Sequence, residues 1–372
     1  MKIITPRVIA PDSSHWAQWI DCALSPSRVG HQATLDFHDR LISAGRIPLM
    51  SWHHLEELLA IEDDTWARRR VAFIQALPLI AYVRFPAEGS HSGSIVDVLS
   101  AEVTAALNGA TTLQEVRDKA RVSLIRTGTG EEVIGTETWI WDVVRREFRR
   151  RNKDAKLIAA TRSMGLFDDQ RTIGEIAKGS IRTNEEQRFT VLKMRGKVLD
   201  HIQLRGDRKI ADPHSMASSF MDAVQALAVP EGTDVRSLLE IALVSQGLDR
   251  DEIRDDAVLA DLNDLAIFRA RLKVIADNID MPFRSLKRID RAILPSCQTL
   301  HLLQRFGQNR QRRNGSDITD ESLSALAPYV DELFVDKRTA EDFRRVQSRS
   351  EPVVRLLGRV RKISSFEGLV SP

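Results

Sequence analysis

The order of apolar and polar positions divides the chain into three stretches. In the first, short apolar runs alternate with segments of helical period. Arg7 to Ala10 is a β-branched run stopped by Pro11, and "SSHWAQWIDCAL" then opens on Ser13 and Ser14, two N-capping residue types, with apolar side chains at helical spacing. The pattern predicts a second helix over Val29 to Ala44, ended by Gly45, a compact strand in "RIPLMS" and a helix in "WHHLEELLAIED". Another helix, "WARRRVAFIQAL", and another strand, "PLIAYVRF", follow. Strands separated by helices predict a mostly parallel sheet, because parallel neighbours need a crossover connection.

From about Ser94 to Pro295 the texture is helical, as in "SIVDVLSAEVTAALNG", "TLQEVRDKARVSLI" and "LNDLAIFRARLKVIADNI", with no repeat of fixed period. Residues 296–372 return to α/β texture around the apolar run "ELFV". The expected layout is an α/β domain in two halves, 1–93 and 296–372, interrupted by a large all-helical insertion over 94–295.

Composition then narrows the picture. Of 372 residues, 42% are hydrophobic and 28% charged, which is the balance of a folding chain. The net charge of +2 conceals basic runs at Arg145 to Lys153, Arg310 to Arg313 and Arg355 to Lys362. Each run reads either as a solvated helix face or, together with the others, as a surface for a polyanion. Two cysteines, Cys22 and Cys297, exclude a disulfide framework or a cysteine-rich zinc site and point to a reducing compartment. The N-terminal "MKIITPRVIAPD" is interrupted by Pro6 and Pro11 and reads as neither a signal peptide nor a membrane span, so a cytoplasmic protein with no membrane partner is expected.

Acids recur just after the expected strands. Asp12 follows the first, Glu56 and Glu57 lie in the helix after "IPLMS", Asp317 and Asp320 sit in "GSDITDESLSALAPY", and Asp336 follows "ELFV". In an open parallel sheet, side chains at the carboxyl ends of strands converge even when distant in sequence. Carboxylates gathered there repel unless cations or protons neutralise them, and Mg²⁺ or Mn²⁺ prefers such oxygen ligands. Each acid also has a plainer reading: Asp12, Asp317 and Asp320 as helix caps, Glu56 or Glu57 as a solvated side chain, Asp336 as an acid complementing a helix dipole.

These segments, "VIAPDSS", "PLMSWHHLEEL", "DITDESLSALAPYVD" and "ELFVDKRTAEDF", resemble in content and order the motifs of the PIN-domain nuclease superfamily. The resemblance covers roughly the first quarter and last fifth of the chain and leaves the helical middle unexplained. It implies a three-layer α/β/α domain with a mostly parallel sheet, and a metal-dependent phosphodiester hydrolase, acting on RNA more readily than on DNA. The implied ligands of Mg²⁺ or Mn²⁺ are Asp12, Glu57, Asp320 and Asp336, with Asp317 close enough to replace or assist Asp320. Glu57 matches better than Glu56 because the family places its acid directly before a leucine, here Leu58. Asp320 matches because it opens the helix expected over Leu323 to Ala327. Lys337 and Arg338, with Arg312 or Arg313, would contact substrate phosphates. The alternative is a PIN-like module that binds nucleic acid or protein without cutting, its helical block making partner contacts; an oligomer is left open.

Other signals carry less. His53, His54 and Glu57 lack the His-Glu-x-x-His spacing of a zinc helix, which leaves His54 a packing or supporting residue. "RTGTGEEVIG" lacks a phosphate-loop ending and reads as a connector. Trp139 and Trp141, beside basic residues, read first as core and second as a platform for stacking bases. Ser13 belongs to no serine-histidine-aspartate order.

Overall fold

The computed structural model describes residues 6–85, 92–161, 169–179, 184–207, 210–225, 234–308, 316–349 and 351–371. The chain begins β1 (Arg7–Ala10), α1 (Ser13–Leu24), α2 (Phe37–Ser43), β2 (Arg46–Met50), α3 (Trp52–Leu59), α4 (Asp64–Gln75) and β3 (Ile80–Val83). It continues α5 (Ile95–Leu107), α6 (Leu113–Leu124), β4 (Ile125–Gly128), α7 (Gly130–Ile134), α8 (Thr138–Thr161), α9 (Ile173–Ala177), α10 (Asn184–Arg205), α11 (Pro213–Gln225), α12 (Val235–Ser245), α13 (Leu259–Asn278) and α14 (Phe283–Leu286). It ends α15 (Pro295–Phe306), α16 (Ser316–Ser324), β5 (Glu332–Val335), α17 (Lys337–Gln347) and β6 (Arg359–Lys362). No helix among the described residues is long and apolar enough to cross a membrane.

The contacts divide the chain into two units. The first takes Met1–Asn152, Ile289–Asn309 and Ile318–Pro372; the second takes Lys153–Arg288 and Arg310–Asp317. The first unit is built on one sheet in the order β4-β3-β2-β1-β5-β6, parallel throughout except for β4, which runs antiparallel to β3 at the edge. Buried apolar side chains hold it: Ile9 of β1, Trp16, Trp19 and Ile20 of α1, Met50 of β2, Leu55 and Leu58 of α3, and Phe334 of β5 share one core. At the amino ends of the strands, Glu332 of β5 is almost fully buried but receives Arg46 at 2.9 Å, Arg361 at 3.0 Å and Arg7 at 3.5 Å, so its charge is compensated. The second unit is helical and packs around two small apolar groups, one centred on Leu243, Leu259 and Ala266, the other on Val198, Ile202 and Met221.

Several elements differ from the sequence expectation, each for a local reason. The helix expected over Val29 to Ala44 is divided, because Gly30 adopts φ 95° and only a 3₁₀ turn, His31–Thr34, precedes α2. The segment 94–152, helical in period and expected in the insertion, clusters with the sheet instead. The "RTGTGEEVIG" stretch, expected as a connector, supplies β4 and α7. Gly130 there donates its N–H to Leu77 O at 2.8 Å, and a Cβ at that position would stand 1.7 Å from Ile74 O, so no other residue fits.

Candidate functional site

The carboxyl ends of β1 and β5 define the site. From β1 the sheet extends one way to β2 and β3 and the other way to β5 and β6, so the gap between β1 and β5 is the point where the winding reverses. Ligand crevices in open α/β sheets lie outside the strand ends at this point, because the flanking connections leave in opposite directions. Ala10 pairs with Leu333, so Asp12 and Asp336, two and three residues beyond that pair, leave the sheet at the same edge. A small recess there is lined by Ala10, Pro11, Asp12, His54, Asp320, Leu323, Leu333, Phe334, Val335 and Thr339.

Both strand-end aspartates begin helices. Asp12 Oδ1 accepts Ser14 N–H at 2.7 Å, capping α1, and Asp336 Oδ1 accepts Thr339 N–H at 2.7 Å, capping α17. The capping reading of these acids is therefore realised, and each keeps a second carboxylate oxygen beyond the one used in its cap. Asp320 does not open a helix; it lies within α16, where Ser324 Oγ–H donates to its carbonyl at 2.8 Å. Its side chain nonetheless lines the same recess as Asp12. The Asp317 side chain, Arg312 and Arg313 lie outside the described residues.

Glu57 comes to this group from α3. Burial pushes its carboxyl up from 4.5 to about 7; the neighbouring charges of Asp12 and Glu56 add to the rise, while Ser13 and Thr319 oppose it. The Ser13 hydroxyl is buried beside Glu57, close enough to donate to its carboxyl and hold down the rise. Its neighbour Glu56 faces elsewhere, with His53 at 3.6 Å and Arg151 at 3.8 Å. Both acids are half-buried, and helical rotation turns Glu56 toward His53 and Arg151 and Glu57 toward Ser13 and Asp12.

Two histidines support the site. His54 is fully buried; its Nε2–H donates to Pro11 O at 2.7 Å, and its Nδ1 accepts Ser51 Oγ–H at 2.8 Å and Ser51 N–H at 3.0 Å. With both ring nitrogens committed and the side chain fully buried, its pKa drops to about 4, so it stays neutral. It ties the start of α3 to the residue before Asp12. His15 is also buried, 3.4 Å from Ile363 O through Nε2 and without a partner at Nδ1; burial lowers its pKa and the Asp12 charge opposes that. Sequence reading placed His54 in a supporting role but gave no signal for His15, whose approach to Ile363 is purely tertiary.

The donors match a hard cation in kind: carboxylate oxygens from Asp12, Asp320, Asp336 and Glu57. Among the described residues no three His, Cys, Asp or Glu side chains are grouped closely enough to hold an ion by themselves. Magnesium commonly takes only one or two carboxylates, with water and substrate phosphate completing its shell, and Asp12 with Asp320 in one recess meets that requirement. Positive charge is available alongside: Lys337 and Arg338 are exposed at the start of α17, and Lys362, in register with Val335, is exposed at the end of β6. Compared with family models, curated proteins and solved structures, the chain matches none.

Proposed function

We propose that this chain is a PIN-like, divalent-metal-dependent nuclease that hydrolyses phosphodiester bonds in RNA. The observation that supports the reading is the placing of the acids near the winding reversal: Asp12 and Asp336 follow the adjacent ends of β1 and β5, Asp320 lines the same recess as Asp12, and Glu57 feels the charge of Asp12. Asp12, Glu57, Asp320 and Asp336 would hold Mg²⁺ or Mn²⁺, and Asp317 stands beside Asp320 in sequence as an auxiliary. When bound, the cation supplies an activated water and neutralises charge on the phosphate.

The chain's own groups prepare that chemistry. Glu57, with a pKa of about 7, carries a proton at mildly acidic pH and releases it when positive charge arrives, which relieves the repulsion from Asp12. His54 holds Pro11, and hence the turn into Asp12, in place. Lys337 and Arg338, exposed beside Asp336, contact the phosphates flanking the cut. Asparagine caps helices as well as aspartate does. Asp12→Asn and Asp336→Asn therefore keep the caps while removing the charges, and each abolishes Mn²⁺-dependent cleavage of single-stranded RNA without lowering the melting temperature. Wild-type protein that cuts no RNA or single-stranded DNA with either metal refutes the enzyme reading.

One observation favours a second reading, a PIN-like module that binds nucleic acid or protein without cutting. Asp12 and Asp336 each commit an oxygen to a helix cap, and no group of three ligands is preformed among the described residues. Calorimetric titration with Mn²⁺ separates the two: heat lost in Asp12→Asn belongs to the enzyme, and no heat in wild type belongs to the module.

A further inference from the structure

The fold leaves one side chain of the acidic recess, Thr339, with a hydroxyl to spare. The buried stripe of α17 is Thr339, Asp342, Phe343 and Val346. Phe343 and Val346 are apolar, and Asp342 accepts Gln308 N–H at 2.8 Å. Thr339 is 5% exposed and is anchored through its backbone, whose N–H donates to Asp336 Oδ1 at 2.7 Å, but its hydroxyl has no hydrogen-bond partner among the described residues. Polar atoms of buried side chains are nearly always bonded, so a hydroxyl left over calls for a reason. Packing gives none, because valine has the shape of threonine and would fill the same space with no polar group to desolvate.

The position of Thr339 supplies a reason. It lines the recess at the carboxyl ends of β1 and β5 together with Asp12, His54 and Asp320, and the rest of that wall is apolar. His54 has both ring nitrogens committed, to Pro11 and Ser51. Asp12 and Asp320 bring carboxylates, which accept hydrogen bonds and give none. Among the described residues, that leaves Thr339 as the lining side chain with a proton to offer. It lies one turn into α17, just after the exposed Lys337 and Arg338. A phosphate drawn to those cations, and to a metal ion held by Asp12 and Asp320, brings non-bridging oxygens to this wall. A donor already fixed in an apolar surround is worth more to such an oxygen than the same donor in water.

We infer that the Thr339 hydroxyl donates to a non-bridging oxygen of the substrate phosphate, which makes Thr339 a catalytic residue beyond the four acids. The inference rests on the nuclease reading for the identity of that phosphate, but the contact itself does not require that a bond be cut. The anchored backbone holds the donor in place before the phosphate arrives, so little is spent on ordering it.

The test replaces Thr339 by valine and by serine in the full chain. Valine keeps the shape, the backbone bond to Asp336 and a similar helix propensity, so circular dichroism and melting temperature match wild type. Two readouts are taken: cleavage of a single-stranded RNA 12-mer with Mn²⁺, and calorimetric binding of adenosine 5′-monophosphate in Mg²⁺. Thr339→Val lowers kcat about a hundredfold, the lower end for one lost donor at developing charge, and weakens the monophosphate between about twofold and about tenfold, one neutral hydrogen bond. Mn²⁺ binds the variant as it binds wild type, and Thr339→Ser keeps most of both activities. A loss in either readout that serine restores, with Mn²⁺ binding intact, upholds the inference. Both readouts unchanged in Thr339→Val overturn it; if Asp12→Asn still abolishes cleavage in that case, the nuclease reading stands alone. Weakened Mn²⁺ binding in Thr339→Val overturns it too, because the hydroxyl then serves the metal site and not the phosphate. Thr339-dependent monophosphate binding by a protein that cuts nothing upholds the contact and refutes the nuclease, and wild type that neither binds nor cuts overturns both.

Discussion

Replacing Glu57 by glutamine should change how stability depends on pH, and the direction follows from the burial of its carboxyl. The folded protein holds this proton up to about pH 7, whereas the unfolded chain releases it near 4.5. Between those values the native state binds more protons, so stability falls as pH rises, is fully present below 4.5 and is lost above 7. Each tenfold change in proton affinity is worth ~1.4 kcal/mol, so integrating from pH 5 to 8 gives a loss on the order of 2–3 kcal/mol. Wild type alone does not reveal it. His54, held neutral with a pKa of about 4 against 6.5 unfolded, destabilises the native state as pH falls through nearly the same window, by roughly 2 kcal/mol at pH 5. The two slopes oppose each other, and only the difference between Glu57→Gln and wild type isolates the glutamate, since His54 titrates in both. Urea unfolding at pH 5 and 8, followed by tryptophan fluorescence, is the assay. Trp16, Trp19, Trp52, Trp66, Trp139 and Trp141 all lie in the first unit, so the signal reports the unit that contains Glu57. The variant gains on the order of 2–3 kcal/mol on wild type between pH 5 and 8; profiles that run parallel over that range would refute a desolvated, protonated Glu57. Saturating Mn²⁺ should reduce the wild-type deficit at pH 8 and, at pH 6, release protons into unbuffered solution, which pH-stat titration measures.

The fold gives three more tests. Tyr329→Phe removes the 2.5 Å hydrogen bond into fully buried Glu102, which then relies on Ser296 N–H and Oγ–H at 2.7 Å, and urea unfolding should show a loss of about 2 kcal/mol. Arg145→Met leaves the Leu59 and Ile61 carbonyls and Asp64 without the guanidinium that reaches them at 2.9, 2.6 and 2.7 Å. Its cost of ~3 kcal/mol should not be recovered by lysine, which cannot present the same fork of donors. Gly130→Ala forces a methyl against Ile74 O and should cost ~3 kcal/mol of first-unit stability by the same fluorescence assay.

What the sequence reveals depends on whether a residue's role is local. β1, β2, β3 and β5 are short apolar-rich runs bounded by proline, glycine or acid, β2 and β5 buried throughout and β1 at its carboxyl end, which makes them readable directly. β4, "IRTG", and β6, "RVRK", escape that reading because edge strands face solvent and carry the polar residues that protect an open edge. Arg145 hides in a basic run for a related reason: its helical phase matches Trp141 and Phe148, not Arg146, so one member of the run faces the core. The candidate site shows the same division. That Asp12 and Asp336 end strands is written in the residues before them, whereas the spacing of Glu56 and Glu57 to the leucines around them does not say which of the two turns toward Asp12. That the two aspartates leave adjacent strands is not written there, because it depends on β5 returning to the far side of β1 and not to the outer edge of β3. This return is fixed by tertiary contacts: Asp331, just before β5, accepts Val8 N–H at 2.7 Å and binds Arg121 at 2.9 Å. Asp331→Asn should therefore act on the site at a distance. It weakens the Arg121 pair yet keeps an acceptor for Val8, whereas Asp331→Ala leaves Val8 N–H unsatisfied at a cost of about 1–3 kcal/mol. If Mn²⁺ binding falls in Asp331→Ala but not in Asp331→Asn, the docking of β5 on β1 is what brings the acids together; equal Mn²⁺ binding in both, with the alanine variant destabilised, would show that the acids need no such support.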